Sequence, residues 1–388
     1  MRGRKILNNK YYVVGSGIVG SVIAHELAEH GAKVHIFEKR NHIGGNLFDC
    51  TDEHGIHVHL YGPHIFHTQK ERVWEYVSRY CSWEEYDLVC GSVMDGICVP
   101  TSFDFESIDR FFPQEAEVIK EHIKMVFGEQ KSATVLEMLE CEDRYVKKFA
   151  QYLYDKDYAP YTAKQWGISP EKVDKQIFRR VPILFSYGSK YFDDKYQAMP
   201  QGGYMELIEN LLKHENITVQ VNVDALDVIS IEENSIYING EPADGTVVYT
   251  GPIDELFQCQ YGKLPYRSLR FEWKYEDKES FQDMPVVAYP QAEGYTRITE
   301  YKKLPYQKVR GTTYAVEYPI PYQKGADNDP YYPVLTEESA ELSHKYFKLA
   351  EQIKNLKCCG RLADFKYYNI DQAIDRALDV AEELQMEE

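Results

Sequence analysis

A glycine-rich turn near the start of the chain has the spacing of a dinucleotide-binding loop. The hexapeptide GSGIVG follows the short apolar run YYVV. In such a loop Gly15 permits a tight turn, Gly17 lets the backbone approach a pyrophosphate, and Gly20 permits close packing of helix on strand. The N-terminus of the helix that follows attracts the anion. We therefore predict a cofactor site here that also includes Ile18 and Val19.

Two features downstream support the same site. Glu38 ends the predicted strand VHIFEK, 23 residues after Gly15, where a carboxylate can accept hydrogen bonds from ribose hydroxyls. Arg40 then opens an RxxxGG element that contains Gly45 and is followed by Asn46. The coincidence of three features indicates a dinucleotide site, and an ordinary glycine turn is the alternative. A P-loop is not supported, because the sequence contains no GxxxxGK[ST].

The RxxxGG element resembles that of the glutathione-reductase-like flavoproteins, which favours FAD over NAD. A second glycine turn, Gly360-Arg361, precedes a helix predicted to begin near Asp371. In such folds this helix points its N-terminus at the flavin or its phosphates, and Arg361 would pair with an anion. We therefore add Asn369, Ile370 and Asp371 to the cofactor site. A helix cap or a salt bridge is the alternative role for Arg361.

The stretch HGIHVHLYGPHIFH contains five of the 12 histidines. A metal site is one interpretation, since imidazole is a common ligand. However, the stretch has neither a cysteine partner nor an HExxH motif, and its Tyr-Gly-Pro breaks any helix that could align two ligands. We predict no metal and place His64 and Ile65 beside the flavin ring. Histidines with only a structural role are the alternative.

The composition excludes several classes of partner. The chain has 388 residues and a formal net charge of −18, from 44 basic and 62 acidic residues. Such an acidic chain is a poor candidate for binding nucleic acid or an anionic membrane. The eight cysteines show no CxxC spacing, and no apolar run is long enough to span a bilayer. We therefore predict a cytoplasmic protein with reduced thiols.

The pattern of elements predicts an α/β protein. A βαβ unit opens the chain, and residues 70–178 carry apolar residues at helical spacing, which indicates a helical insertion. Alternating runs over 265–320 indicate an antiparallel sheet, and two helices close the chain.

Ordered motifs along nearly the whole chain resemble those of bacterial UDP-galactopyranose mutases. They are GSGIVG, NHIGGN, HLYGPHIFHT, YTAKQWG, RRVPILFSYGSKYFDDKYQAMPQGGY, YRSLRFE, YTRITE, PYYP and GRLADFKYYNID. The resemblance implies a Rossmann-like FAD-binding domain with an inserted helical domain and an antiparallel β-sheet domain. The corresponding boundaries are 1–70, 203–262 and 335–388 for the FAD domain, 71–178 for the helical domain, and 179–202 and 263–334 for the sheet, lid and substrate domain.

The same resemblance implies the chemistry. UDP-galactopyranose and UDP-galactofuranose would be interconverted, without net redox change, through a covalent adduct between the sugar and N5 of reduced FAD. The product would serve cell-surface polysaccharide biosynthesis. The partners would be a nucleotide sugar and an external reductant such as NAD(P)H. Members of the family are often homodimers, although the sequence carries no interface signal.

Individual site residues follow from the matched motifs. In the family, the segment around Arg180 is a mobile lid, and Arg180 and Arg297 would both neutralise the diphosphate. The other matched substrate residues are tyrosines that donate to phosphate oxygens (Tyr191, Tyr331, Tyr367), a tyrosine that stacks on uracil (Tyr161), a tryptophan near the sugar and lid (Trp166) and an arginine near the flavin (Arg267). Packing in the core or on a sheet face is the alternative for each aromatic residue.

Several positions depart from the family pattern, and several of these lie where the sugar or base should lie. They are Leu184, Asn369, Phe103-Asp104, Ala288 and Asp157, the last of which replaces an aromatic residue that often packs on the base. An alternative is therefore the same chemistry on UDP-N-acetylgalactosamine or a dTDP-6-deoxyhexose. A flavin oxidase or dehydrogenase and a non-catalytic flavoprotein are further alternatives from other classes.

Overall fold

The computed structural model describes residues 9–167, 169, 181–188, 190–326 and 328–386. The helices are α1 (Ile18–Glu29), α2 (Glu71–Val77), α3 (Phe105–Phe111), α4 (Ala116–Phe127), α5 (Val135–Glu140), α6 (Arg144–Leu153), α7 (Ala159–Trp166), α8 (Gly203–Leu212), α9 (Ala225–Val228), α10 (Ile253–Leu256), α11 (Glu337–Ala350) and α12 (Ile370–Met386). Across the described ranges, none of the helices combines the length and the apolar character that crossing a membrane requires.

The strands are short, apart from two long ones. They are β1 (Lys10–Val14), β2 (Lys33–Phe37), β3 (Asp49–Thr51), β4 (His57–His59), β5 (Phe66–Thr68), β6 (Trp83–Glu85), β7 (Cys90–Met94), β8 (Ile97–Pro100), β9 (Ser132–Ala133), β10 (Ile183–Leu184), β11 (Tyr196–Pro200), β12 (Ile217–Gln220), β13 (Ile229–Glu232), β14 (Ser235–Ile238), β15 (Glu241–Pro242), β16 (Thr246–Tyr249), β17 (Tyr266–Glu276), β18 (Val286–Ala288), β19 (Arg297–Glu300), β20 (Thr312–Pro321), β21 (Tyr332–Pro333) and β22 (Leu356–Cys358).

A five-stranded parallel sheet, in the order β12-β2-β1-β16-β22, forms one half of the molecule. Its central strands are buried on both faces, as parallel strands covered by helices are. Helices α1, α8 and α12 pack on one face, and α10 and α11 share a second core on the other face. The prediction of a Rossmann-like α/β unit is confirmed. The exact division of the chain into three domains stays a prediction.

The second sheet has seven strands in the order β21-β17-β20-β19-β18-β7-β8. It is antiparallel apart from the pairing of β18 with β7. Ser92, Ala288, Arg297 and Glu317 are successive partners in register across β7, β18, β19 and β20. Directly paired residues project to the same face of a sheet. These four residues, called the transverse row below, therefore form a line across one face.

Helices α3 to α6 pack around their own apolar core, which includes Phe103 and Phe149. The prediction of a helical segment over 70–178 is wrong for residues 83–100, because β6, β7 and β8 lie there and the last two strands extend the seven-stranded sheet. Asp95 and Gly96 have φ of +48° and +82° and form the two-residue turn between β7 and β8. Asp-Gly between apolar runs is a strong hairpin signal that the helical interpretation overlooked.

Candidate active site

The glycine loop between β1 and α1 has the geometry expected of a pyrophosphate site. Gly15 has φ of +94°, and a Cβ on Gly20 would lie 2.0 Å from the carbonyl oxygen of Gly15. A Cβ on Gly17 would meet nothing nearer than Cα of Gly45, at 3.9 Å. The loop is therefore sterically closed at Gly20 and open at Gly17, where α1 begins. Gly45 itself tolerates no side chain, because its Cβ would lie 2.9 Å from Cα of Gly17.

Glu38 lies against this loop and is 4% exposed. Its Oε2 accepts hydrogen bonds from the backbone N–H and the hydroxyl of Ser16 at 2.9 and 2.7 Å, and its Oε1 accepts from the N–H of Arg40 at 2.9 Å. The Arg40 guanidinium donates to Asp329 and to Asn46, and lies 4.1 Å from the centre of the Tyr61 ring. These contacts fix the carboxylate at the end of β2, beside the loop.

The C-terminal glycine turn packs on the same region. A Cβ on Gly360 would contact both methyl groups of Val19 at 3.6 Å. Arg361 donates to the carbonyls of Tyr331 and Tyr368 at 3.3 and 2.6 Å. Its guanidinium also lies over the rings of two tyrosines, Tyr332 and Tyr367, at 5.1 and 5.4 Å. The turn therefore joins the glycine loop to a group of tyrosines.

Helix α12 begins at Ile370, directly after this turn. The backbone N–H of Asn369 donates to Gln372, and Thr68 donates to Oδ2 of Asp371 at 2.9 Å. Oδ1 of Asp371 is buried without a hydrogen-bond partner. The predicted cofactor residues at the start of α12 are therefore near β5, with one acceptor left unsatisfied.

His64 lies in the loop between β4 and β5. Its backbone N–H donates to Nδ1 of His59, and its own Nδ1 is buried without a hydrogen-bond partner. Burial lowers the pKa of His64 well below its usual range, and His59 and Arg361 lower it further. The imidazole is therefore neutral at physiological pH. Ile65, which follows it, packs partly buried against the core of the Rossmann unit.

One group of potential metal ligands occurs among the described residues. Side-chain atoms of Asp49, His57 and His59 lie within 4.8 Å of one another. Both oxygens of Asp49 accept hydrogen bonds from the backbone at the start of α8, at Tyr204 and Met205. The carboxylate is therefore already used to satisfy the free N–H groups of a helix N-terminus, and this role accounts for its burial.

These features fit FAD. The glycine loop leaves an open cradle at Gly17, where α1 begins, and the carboxylate of Glu38 lies against the loop, where it could accept from a ribose. The unpartnered polar atoms of His64 and Asp371 are the kind that a bound ligand satisfies.

A cleft lies between α7 and the seven-stranded sheet, and Arg297 is the member of the transverse row that lines it. Nε of Arg297 donates to Oε2 of Glu317 at 2.9 Å, and one terminal nitrogen lies 2.9 Å from the same oxygen. The side chains are 23% and 2% exposed. Oε1 of Glu317 is buried without a partner. Glu317 therefore anchors the guanidinium from behind and leaves its other side open to the cleft.

Aromatic side chains form the walls of the cleft. The residues that line it are Asp157, Tyr158, Tyr161, Thr162, Gln165, Trp166, Val181, Tyr191, Arg297, Tyr332 and Tyr367. Tyr332 and Tyr367 stack with ring centres 5.5 Å apart. Burial raises the pKa of Tyr161 and Tyr332, so both phenols are neutral donors at physiological pH. The structure thus brings together five of the predicted substrate residues: Tyr161, Trp166, Tyr191, Arg297 and Tyr367.

Two predicted substrate residues lie elsewhere. Arg267 donates to the carbonyls of Lys164 and Gln165 at the C-terminal end of α7 and is not among the residues that line the cleft. Burial lowers its pKa. Tyr331 is 4% exposed and packs towards Tyr61, whereas the adjacent Tyr332 lines the cleft. Side chains alternate along a strand, so neighbours in a tyrosine pair face opposite ways. Arg180 lies outside the described residues.

The departures from the family pattern separate into two groups. Phe103 is in the core of the helical layer, Asp104 caps α3 by accepting from the N–H of Glu106 at 2.9 Å, and neither is among the residues that line the cleft. Leu184 lies in β10 and pairs with Ser132 of β9. Asp157, in contrast, lines the cleft, and Ala288 is the sheet partner of Arg297, which also lines it.

Sequence reasoning missed three residues of this site. They are Glu317, Tyr332 and Ser92, which holds Asp157 through a hydrogen bond of 2.5 Å. Two signals were available. An acidic residue within the apolar run TYAVEYP is expensive to bury unless it is paired, and the PYYP motif contains a second tyrosine.

The comparisons with known proteins identify the family of the chain. The family model for UDP-galactopyranose mutase matches residues 156–367, and a model for the NAD(P)-binding Rossmann-like domain matches residues 13–80. A protein described as "Probable UDP-galactopyranose mutase" from Klebsiella pneumoniae is 35% identical over 382 residues, which are 97% of this chain and 95% of the relative. A dTDP-fucopyranose mutase of Escherichia coli is 32% identical over 377 residues, covering 96% of this chain and 98% of that protein.

A solved structure shows the same fold. The crystal structure of a reduced UDP-galactopyranose mutase matches with a TM-score of 0.71 and 14% identity, covering 99% of this chain and 95% of the other. The family model matches more than half of the chain, and the Klebsiella relative is similar over almost all of it. The chain therefore belongs to the UDP-galactopyranose mutase family, a family of isomerases.

Proposed function

We propose that this protein is a flavin-dependent nucleotide-sugar mutase that interconverts UDP-galactopyranose and UDP-galactofuranose. The observation that carries the proposal is Arg297, held by Glu317 at a cleft whose walls present the phenols of Tyr161, Tyr332 and Tyr367. A guanidinium surrounded by neutral phenols suits a diphosphate, because it offers both charge and several hydrogen-bond donors. The C-terminal glycine turn connects this tyrosine group to the cofactor loop.

The cofactor is proposed to be FAD. Gly15, Gly17 and Gly20 would hold its pyrophosphate at the start of α1, and Glu38 would accept from its ribose. When bound and reduced, FAD supplies the nucleophile that displaces the diphosphate from the anomeric carbon of the sugar. Arg297 would stabilise the charge on the departing diphosphate and hold it close for the return step.

A second nucleotide hexose is favoured by specific positions. Asp157, which lines the cleft, and Ala288, the sheet partner of Arg297, depart from the family pattern, and the similar Escherichia coli protein is named for a dTDP sugar. The same chemistry on a dTDP-6-deoxyhexose or UDP-N-acetylgalactosamine is therefore the second candidate. An external reductant, such as NAD(P)H, is required by the proposed chemistry. A homodimer, a cytoplasmic location and closure of Arg180 over the leaving group stay predictions.

The test is a comparison of oxidised and dithionite-reduced protein. Each form is incubated with UDP-galactose, UDP-N-acetylgalactosamine and dTDP-fucose, and the products are separated by chromatography. We expect a furanose product only from the reduced protein, with no net change in the redox state of the flavin. Equal conversion by the oxidised protein, or oxygen consumption with an amine substrate, would contradict the proposal. A yellow protein that converts none of the sugars would favour a non-catalytic flavoprotein.

Glu317→Gln is expected to lower the thermal stability of the free protein and to increase its stabilisation by UDP. Removing one partner of a buried ion pair lowers the free energy of unfolding by about 3–5 kcal/mol. Because glutamine retains one oxygen acceptor, this substitution should lower it by only part of that amount. UDP would then supply the missing negative charge. The melting temperature is measured with and without UDP.

Glu272→Gln is the matched control for this variant. Glu272 lies on β17 of the same sheet, and its side chain is 43% exposed and paired with Lys274. An exposed ion pair contributes little to stability, so the control should behave as wild type. Unchanged melting of Glu317→Gln would show that the buried pair does not stabilise Arg297.

A further inference from the structure

The carboxyl group of Asp157 is buried at the cleft, and no chemical role has been assigned to it above. Asp157 is 7% exposed and lies in a single π-helical turn, Tyr154–Tyr158, between α6 and α7. Its Oδ1 accepts a hydrogen bond of 2.5 Å from the hydroxyl of Ser92, the first member of the transverse row. Single π-helical turns within α-helices are frequent at functional sites.

The nearby cation, the ammonium group of Lys164, makes its hydrogen bonds to groups other than Asp157. Nζ of Lys164 donates to three backbone carbonyls, those of Tyr289, Ala292 and Tyr295, at 2.6, 2.8 and 2.7 Å. An ammonium has three protons, so these bonds use all of them. Burial lowers the pKa of Lys164 to about 8 and raises the pKa of Asp157 to about 6. A neutral carboxylic acid is therefore accessible close to neutral pH.

The transverse row shows which part of a substrate would reach Asp157. At one end of the row, Oε2 of Glu317 would lie 3.6 Å from a Cβ on Gly62, in the loop that also carries His64. Arg297 is next in the row. Ser92 lies two strands beyond Arg297, and the spacing of strands puts their backbones about 10 Å apart. If the diphosphate lies on Arg297 and the sugar extends towards the Gly62 loop, the nucleobase lies at the Ser92 end of the row.

The charge of the substrate determines the protonation state of this group. A sugar nucleotide carries two negative charges on its diphosphate, and at Arg297 these would disfavour ionisation of a nearby buried carboxyl. A protonated carboxyl places one donor beside one acceptor. The imide edge of uracil or thymine, where N3–H stands beside a carbonyl, is complementary to that pair of groups.

We propose that the carboxyl of Asp157, oriented by Ser92, recognises the base of the nucleotide. In its protonated form it accepts a hydrogen bond from N3–H of uracil or thymine and donates one to the adjacent carbonyl. The proton comes from solvent and is taken up when the nucleotide binds. The inference rests on the proposed function, which supplies a uridine or thymidine nucleotide as the ligand.

The surrounding groups limit the pH range in which this can be measured. Tyr158 of the same turn and Tyr161 of α7 face Asp157, and burial raises the pKa of both phenols, so they stay neutral. Lys164 of α7 is the nearby cation, with a pKa of about 8. Below pH 7.5, the titration of Asp157 can therefore be measured separately from the titration of these other groups. UDP-galactose is the suitable probe, because its two phosphate charges are constant in this range.

The experiment is calorimetry of UDP-galactose binding to the oxidised holoprotein from pH 5.5 to 7.5. We expect the wild-type affinity to fall by up to tenfold per pH unit above pH 6, with proton uptake detected as a dependence of the heat on the buffer. Asp157→Asn should bind as the wild type does at pH 5.5, but without pH dependence, because an amide presents the same donor and acceptor. Asp157→Leu should bind about 5–100-fold more weakly throughout, the range for a bidentate contact to a base edge.

Two controls complete the design. Asp155→Asn changes an exposed carboxylate two residues away and should keep the wild-type pH dependence. N3-methylated UDP-galactose should bind the wild type more weakly than UDP-galactose, and Asp157→Leu should not distinguish the two ligands.

Retention of the pH dependence in Asp157→Asn would overturn the inference alone, as would wild-type affinity in Asp157→Leu. A wild-type protein that binds neither UDP- nor dTDP-sugars would overturn both the inference and the proposed function. If the leucine variant does not fold, the asparagine variant still decides the outcome.

Discussion

Arg297→Ala should lower kcat/KM for the mutase reaction by about 10²–10³-fold, the usual loss when one preorganised charge-stabilising group is removed from an active site. The flavin content of the purified protein should not change, because Arg297 is on the seven-stranded sheet and not in the glycine loop. Steady-state kinetics with the reduced enzyme and the absorbance of the flavin give the two measurements. Normal turnover would show that the cleft is not the diphosphate site.

The alanine variant also leaves Glu317 as a buried carboxylate without its cation, which would destabilise the protein independently of catalysis. Two further variants separate these effects. Arg297→Lys keeps the charge but loses the fork of donors, so part of the activity should return. Arg297→Ala combined with Glu317→Gln removes the isolated charge and should recover stability without recovering turnover.

Gly17→Ala and Gly20→Ala should fail in different ways. In the cofactor-free protein, a Cβ on Gly17 would contact only Cα of Gly45, at 3.9 Å, so this variant should fold normally. It should lose most of its FAD, because the methyl group would block the approach of the pyrophosphate to the backbone. A Cβ on Gly20 would lie 2.0 Å from a backbone oxygen, so this variant should be destabilised with or without cofactor. Flavin absorbance and the melting temperature of the cofactor-free protein give both comparisons.

The opposite pattern would contradict the assignment of the loop. If Gly17→Ala retained FAD at wild-type occupancy, the pyrophosphate would not approach the backbone there. If Gly20→Ala melted as the wild type does, helix α1 would not pack on the loop as closely as the structure shows.

The glycine loop could be predicted from sequence because its geometry is local. The turn at Gly15, the clearance at Gly17 and the close contact at Gly20 all arise within six residues, and Glu38 follows on the next strand. The cleft could be predicted only in part. Ser92 and Glu317 are 225 residues apart in the sequence, and only the strand order and register place them in one row.

The two residues of the Tyr331-Tyr332 pair show the limit of carrying over residues by motif. Both residues match the motif, but the alternation along a strand sends one ring to the cleft and the other towards Tyr61. Asp104 illustrates a different cause. Its carboxylate is used by the first turn of α3, and this local capping role was readable from an aspartate placed directly before a helical pattern.

Hydrogen bonds between backbone groups fix the spacing of the transverse row, so no side-chain substitution can stretch or compress it. The positions of Ser92 and Arg297 in the row are therefore held at a fixed separation of two strand spacings. Relatives that accept a different base or sugar should consequently differ in the side chains at the positions of the row. A ligand with one extra phosphate should be rejected, because the distance between its ends would no longer match the distance between these positions.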